Sequence, residues 1–167
     1  NPGGGSRYYP GSPVLARALL RPQDRLVACE LHPEDAAELK AHFHGDKQVQ
    51  VHRRDGYEAL GAMLPPKEKR GLVLIDPPFE DAGERRKVVR ALVRAHGRWP
   101  QGVYAIWYPI KGGAEARLLH AELANTGIAR QLVAEIIVRA GDDPEVLNGC
   151  GMAIVNPPFR LDETLGR

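Results

Sequence analysis

Apolar residues arrive along this chain in short bursts separated by polar, helix-patterned stretches. Strand-length runs stand at 25–30 (RLVACE), 48–53 (QVQVHR), 71–76 (GLVLID), 102–108 (GVYAIWY), 131–138 (QLVAEIIV) and 151–156 (GMAIVN). Several are continuous rather than alternating, the pattern of strands covered on both faces. The segments between them show helical periodicity. In 32–45, Pro33 suits a first turn, Ala36, Leu39 and Phe43 share a face, and Gly45 supplies a stop. Tyr57, Leu60 and Leu64 align before the Pro65-Pro66 break. A helix over 83–97 turns Val88, Val89, Leu92 and Val93 inward, and one over 114–127 does so with Leu118, Leu119 and Leu123.

Strand and helix alternating at this rhythm predict an α/β fold with a mostly parallel sheet and right-handed crossovers. The connection 139–150 is too short for a crossover helix and rich in turn residues, so the last two strands should form an antiparallel hairpin closing one edge. One domain is expected over 1–167, with 1–7 as a loop-like remnant; no repeat is present. In such sheets ligands bind outside the carboxyl ends of the strands. Glu30, Asp55, Asp76 and Tyr108 stand at four successive strand ends. Three acids in one row also suit helix N-caps and turns, which is the plain structural alternative.

Composition narrows the class without choosing a function. The 167 residues are enough for a sizeable core, and 43% hydrophobic with 26% charged residues is ordinary for a globular chain. No apolar run approaches a membrane span, and no secretory or transit segment is visible. A net charge of +2 does not imply general polyanion binding, although 52–56, 65–70 and 84–90 concentrate positive charge. Arg53, Arg54, Lys111 and Arg160 lie near strand ends where they could hold phosphates. Cys29 and Cys150 sit inside apolar runs, as reduced thiols of a cytosolic, cytoplasmic protein would. His42, His44 and His52 cluster without zinc-type spacing, so no metal is expected, and no Gly-x-Ser-x-Gly elbow supports a hydrolase.

The chemistry concentrates at Asp76-Pro77-Pro78-Phe79. A carboxylate at a strand end can take both hydroxyls of a ribose, which suits Glu30, while Asp55-Gly56 suits a turn reading an adenine edge. Those acids alone do not separate a nicotinamide dinucleotide from S-adenosylmethionine. The proline pair fixes two φ angles and removes two N–H donors, leaving the Asp76 carboxylate and the Pro77 carbonyl as acceptors with no donor between them. An exocyclic amine offers two N–H groups to such a pair, and its lone pair can then be aimed at an electrophilic methyl. Phe79 offers a face for base stacking, and Asp76 is the natural proton acceptor. A second Asn-Pro-Pro-Phe follows at 156–159. It ends a late hairpin strand, so Asn156 is expected off the reactive rim and Phe159 is expected to pack.

Taken together, RYYPGSPVLARALLRPQDRLVACELHPED, DGYEAL, RGLVLIDPPFE, YAIWYPI and GMAIVNPPF resemble the bacterial 23S rRNA adenine-N6 methyltransferase J family, nearly end to end. The DPPF alone resembles the signature of class I, Rossmann-like amino methyltransferases. The resemblance implies S-adenosylmethionine as cofactor and N6 of an adenine in 23S rRNA as acceptor, the RNA being protein-free or in early assembly. No membrane partner is expected, and the oligomeric state is left open with a monomer favoured. By position it implies that Ser12, Glu30, Asp55, Gly56 and Asp76 contact the cofactor, that Asp76 is catalytic, and that Pro77 and Phe79 meet the substrate. The family's glycine-rich loop and the strand before it have no counterpart in this chain. Such a chain should leave a break in its sheet, and roughly the N-terminal third of the parent protein is expected to lie outside it. As given, the chain is expected to bind cofactor poorly. DNA adenine-N6 methylation, protein glutamine methylation and an inactive nucleic-acid-binding module of this fold are the competing readings.

Overall fold

A computed structural model describes residues 9–81, 83–141, 143 and 146–166; the expected loop at 1–7 lies outside these described residues. The elements in chain order are α1 (Ser12–Leu19), β1 (Leu26–Glu30), α2 (Pro33–His42), β2 (Val49–Arg53), α3 (Gly56–Met63), β3 (Leu72–Ile75), α4 (Glu84–Arg98), β4 (Val103–Lys111), α5 (Ala114–Ala124), β5 (Gln131–Ile137), β6 (Leu147–Val155) and α6 (Leu161–Leu165). All six apolar runs are strands. The helices α1 and α6 were not among the expected elements. The chain divides into two compact units, Asn1–Ala59 and Leu60–Arg167, with the boundary inside α3.

In the first unit β1 and β2 pair in parallel, from Leu26 opposite Val49 to Glu30 opposite Arg53. Ala36 of α2 is the one helix residue there that is buried to 1% exposure; Leu39 and Phe43 remain half-buried. Polar tethers supply much of the order. Arg17 of α1 meets Asp46 at 2.5 Å, and the Gln48 amide donates to the carbonyls of Arg21 and Asp24 at 2.7 and 2.8 Å.

The second unit holds a four-stranded sheet in the order β3-β4-β6-β5. β3 and β4 are parallel, and β6 runs antiparallel to both its neighbours. The expected hairpin therefore exists, but β6 is inserted beside β4 and leaves β5 at the edge. β6 starts at Leu147, four residues before the apolar run suggested, so the Gly149-Cys150-Gly151 triplet lies inside a strand. Gly151 has a steric reason to be there: a Cβ would stand 2.1 Å from the ring of Tyr108 on the adjoining strand.

Alternate residues of β4, namely Tyr104, Ile106, Tyr108 and Ile110, form the buried face. α4 and α5 cover it. Tyr104 donates its hydroxyl proton toward the Ala95 and Trp99 carbonyls at 2.9 Å each, tying the strand to the end of α4. Burial pushes the Tyr104 phenol up to about 12. From α4, Val88 and Leu92 are fully buried while Val93 is exposed; from α5, Leu119 and Leu123 are buried while Leu118 faces out. The inward stripe is thus narrower than the run of apolar residues, because a helix advances about 100° per residue and consecutive side chains cannot share one contact line.

The strands form two hydrogen-bonded sheets rather than one, and β1 and β3 each pair on one side only. Val27, Leu72 and Leu74 on those two strands are exposed.

Candidate active site

The rim of the first unit brings two of the expected acids together. Glu30 ends β1, and the backbone N–H of Arg54 bonds the Glu30 carbonyl at 3.0 Å, so Asp55 turns out of the adjoining strand at the same edge. The Glu30 carboxylate accepts the His32 N–H through Oε1 at 2.8 Å. Asp55 accepts the N–H groups of Tyr57 and Glu58 through Oδ1 at 2.7 and 3.3 Å, which caps α3. Each acid thus has one oxygen held by its own backbone, and its other oxygen has no hydrogen-bond partner among the described residues. The capping role is real, and it orients rather than consumes these carboxylates. Gly56 opens α3, and a Cβ there would meet nothing within 4 Å. Ser12 is the exposed first residue of α1.

The second unit holds the Asp76–Phe79 notch. Asp76 directly follows β3, whose last residue Ile75 pairs with Ile106. Among the described residues its carboxylate has no hydrogen-bond or ion-pair partner. Asp76 is exposed at the strand end, and the desolvation its surroundings still impose raises its pKa above the ordinary value. Pro77 is buried, and its carbonyl accepts no hydrogen bond among the described residues. Phe79 adopts φ 51°, in the left-handed region where a bulky residue is strained. The acceptors are thus present, unclaimed, and followed by a forced turn that sets the aromatic ring.

Asn156 does something else. Its side-chain amide donates to the carbonyls of Pro100 and Gly102 at 2.7 and 2.8 Å, just ahead of β4. Since β6 is antiparallel to β4, this latch lies at the amino end of β4, the rim opposite Asp76. Phe159 is 91% exposed, so the expectation that it packs fails; the left-handed Arg160 that follows turns the chain before any wall can reach the ring. Arg160 is engaged with Glu163 at 2.7 Å, which removes it from the free cations expected at the reactive rim. Arg53, Arg54 and Lys111 are exposed.

One cluster went unrecognised in the sequence. Tyr108 is buried and accepts the His120 N–H at 2.7 Å while donating to Glu135 at 2.9 Å. Burial first, then the Glu135 hydrogen bond and charge, raise the Tyr108 phenol far above its usual range. The signal was available in QLVAEIIV, where an acid inside an apolar strand demands a buried partner.

Comparison with known proteins addresses what this architecture is for. The profile of the family RsmJ, described as ribosomal RNA large subunit methyltransferase D, RlmJ, matches residues 1–167. The chain belongs to the RsmJ family. It is similar to ribosomal RNA large subunit methyltransferase J of Escherichia coli (strain K12), with 39% identity over 99% of this chain and 59% of that protein. It is 43% identical to the protein of the same name from Haemophilus influenzae, over 93% of this chain and 56% of the relative. The crystal structure of protein LPL1258 from Legionella pneumophila superposes with a TM-score of 0.84 at 34% identity, over 95% of this chain and 58% of that one. The chain therefore spans less than two thirds of the length of the relatives it matches. Its fold is the Rossmann-like sheet of methyltransferases with an antiparallel hairpin.

Proposed function

We propose that this chain serves S-adenosylmethionine-dependent methyl transfer to the N6 amino group of an adenine in 23S ribosomal RNA. The observation that carries the reading is the exposed Asp76 carboxylate, without a hydrogen-bond or ion-pair partner among the described residues, ahead of two prolines. Family membership and the names of the two methyltransferase J relatives support the substrate and cofactor.

Glu30 and Asp55 suit the cofactor because each presents one free oxygen on a backbone-fixed carboxylate, the acceptor geometry that a ribose diol or an adenine amino group needs. Ser12, Gly56 and Asp76 complete the proposed cofactor-binding set. When bound, S-adenosylmethionine supplies a methyl group on a sulfonium. Asp76 and the Pro77 carbonyl accept the two N–H groups of the adenine amine, which draws its lone pair out of ring conjugation. Phe79 stacks on the base. With the cofactor bound, its methyl would pass from sulfur to the adenine nitrogen, and Asp76 would take the surplus amine proton. A carboxylate beside a nitrogen that becomes positive stabilises the transition state more than the ground state. Protein-free or early-assembly 23S RNA as substrate, a monomeric state and a cytoplasmic location belong to the same proposal. Among the described residues no helix is long and apolar enough to cross a membrane.

The test is label transfer from tritiated S-adenosylmethionine to protein-free ribosomal RNA, DNA or a peptide mixture. Label should enter RNA as N6-methyladenosine, vanish with Asp76→Ala, and need Glu30 for saturable S-adenosylhomocysteine binding. Label in DNA instead, or a fully active Asp76→Ala protein, would overturn the substrate or the catalytic residue.

A further inference from the structure

A cleft of about 300 Å³ opens in the second unit between the first turn of α5 and the end of the β5–β6 hairpin. Arg117, His120, Glu135, Arg139 and Asn148 line it over a floor that includes Ile110. Both arginines are exposed, and neither has an acidic partner among the described residues. The acid in the cleft is already engaged, since Glu135 accepts the Tyr108 hydroxyl at 2.9 Å and lies 3.5 Å from His120. Asn148 is buried and ties its amide to the Gly141 carbonyl at 2.5 Å, which fixes the backbone that carries Arg139. The first turn of α5 carries no side-chain cap. The cleft therefore presents two guanidinium groups without acidic partners and an uncapped helix start beside an acid already engaged by Tyr108, and the arginines outnumber that acid as a wall for an anion.

Its place relative to the notch is set by the strands. Asp76 leaves β3 opposite the middle of β4, and β4 continues from Ile106 to Ile110 on the same rim. Asp76 stands one residue past the Ile75–Ile106 pair, level with Trp107, so the three residues to Ile110 at roughly 3.3 Å each carry the cleft about 10 Å past it. A strand whose base sits in the notch would run over that rim.

The geometry points to this cleft as a phosphodiester subsite for single-stranded RNA, in which Arg117 and Arg139 take one backbone phosphate of the strand that bears the target adenine. The subsite rests on the proposed RNA substrate and goes beyond it by naming the residues that hold the flanking strand.

Fluorescence anisotropy of a labelled single-stranded RNA bound to the protein, measured across salt concentrations, tests it. One lost phosphate contact lowers the slope of log affinity against log salt by about 0.7, or roughly fivefold weaker binding at 0.1 M salt. The Arg117→Ala/Arg139→Ala protein should show both changes and keep its affinity for S-adenosylhomocysteine. Arg117→Lys/Arg139→Lys should recover the slope. Arg90→Ala/Arg94→Ala removes the same charge from the exposed face of α4 and should leave the slope in place. An equal loss in that control means diffuse attraction and overturns the subsite, as does an unchanged slope in the alanine pair. If the wild-type protein holds DNA but no RNA, the substrate reading falls and the subsite falls with it.

Discussion

Replacing Asn156 tests whether the second Pro-Pro-Phe segment is scaffold or chemistry. Asn156→Ala removes two hydrogen bonds to the Pro100 and Gly102 carbonyls, one of them partly buried. At about 1 kcal/mol each, with the exposed one at the low end, they contribute roughly 1–2 kcal/mol. The residue also sits at φ 54°, which asparagine tolerates better than alanine by about 1 kcal/mol. The expected loss is about 2–3 kcal/mol for alanine. Asn156→Gly keeps the backbone conformation and loses only the bonds, so it should lie between wild type and alanine. Both tryptophans, Trp99 and Trp107, belong to the second unit, and Trp99 is 2% exposed in the loop that Asn156 grips. Urea unfolding followed by tryptophan fluorescence therefore reads the relevant unit directly. The midpoint should fall in the order wild type, glycine, alanine, with an unchanged denaturant slope. Methyl transfer per folded molecule should hold in both variants. An alanine variant with its midpoint intact and its transfer lost would refute the reasoning and put the reaction at Asn156.

Burial raises the Asp76 pKa, so the native chain holds that proton more tightly than the unfolded one. The associated stability is whole below the unfolded carboxyl value of about 3.9 and is lost as pH climbs through the raised native value. Asp76→Asn should then be more stable than wild type at pH 7 and equal to it near pH 3 in urea titrations, while transfer drops at least about a hundredfold. In the wild type, transfer should rise with pH through a carboxyl pKa above the ordinary range, read from an initial-rate pH profile. Gly151→Ala drives a Cβ into the Tyr108 ring, and a fall in stability of about 1–3 kcal/mol by urea titration is expected. Leu119→Ala should cost about 2–5 kcal/mol and Leu118→Ala less than about 0.5, because only the first is buried.

Most strands were legible because runs such as LVLI and VYAIWY are continuous and apolar, while β2 showed only as a short alternation of valines and polar residues. Helix faces were only half legible: Val93 and Leu118 are as apolar as Val88 and Leu119, and only the position of β4 decides which of each pair is covered. The early start of β6 was hidden because Leu147–Gly151 mixes Asn148 and two glycines into a strand, and those glycines are explained by atoms on other strands. The acids at strand ends were readable as a row. Their local hydrogen bonds were not, although Glu30 to His32 and Asp55 to Tyr57 are what aim them. The Tyr108–His120–Glu135 cluster joins β4, α5 and β5, so no window of sequence contains it.

The paired Pro-Pro-Phe segments show how one local motif gives two outcomes. At 76–79 the left-handed turn falls on the last residue, Phe79. Asp76 therefore leaves its strand with its side chain uncommitted, and the turn is deferred until after the acceptors are set. At 156–159 the turn falls on the first residue, Asn156, so its amide folds back onto the Pro100 and Gly102 carbonyls at once. The choice of acid or amide agrees with each geometry. Two carbonyls facing a side chain call for a donor, and an aspartate there would meet only like partial charges. An amine substrate calls for an acceptor, and an asparagine at 76 would keep one oxygen but bring a competing N–H. Exchanging the two residues should cost stability at 156 and transfer at 76, and the two losses should be separable in the doubly exchanged chain. If Asp76→Asn destabilised the fold or Asn156→Asp spared it, turn position would not be what divides scaffold from chemistry here.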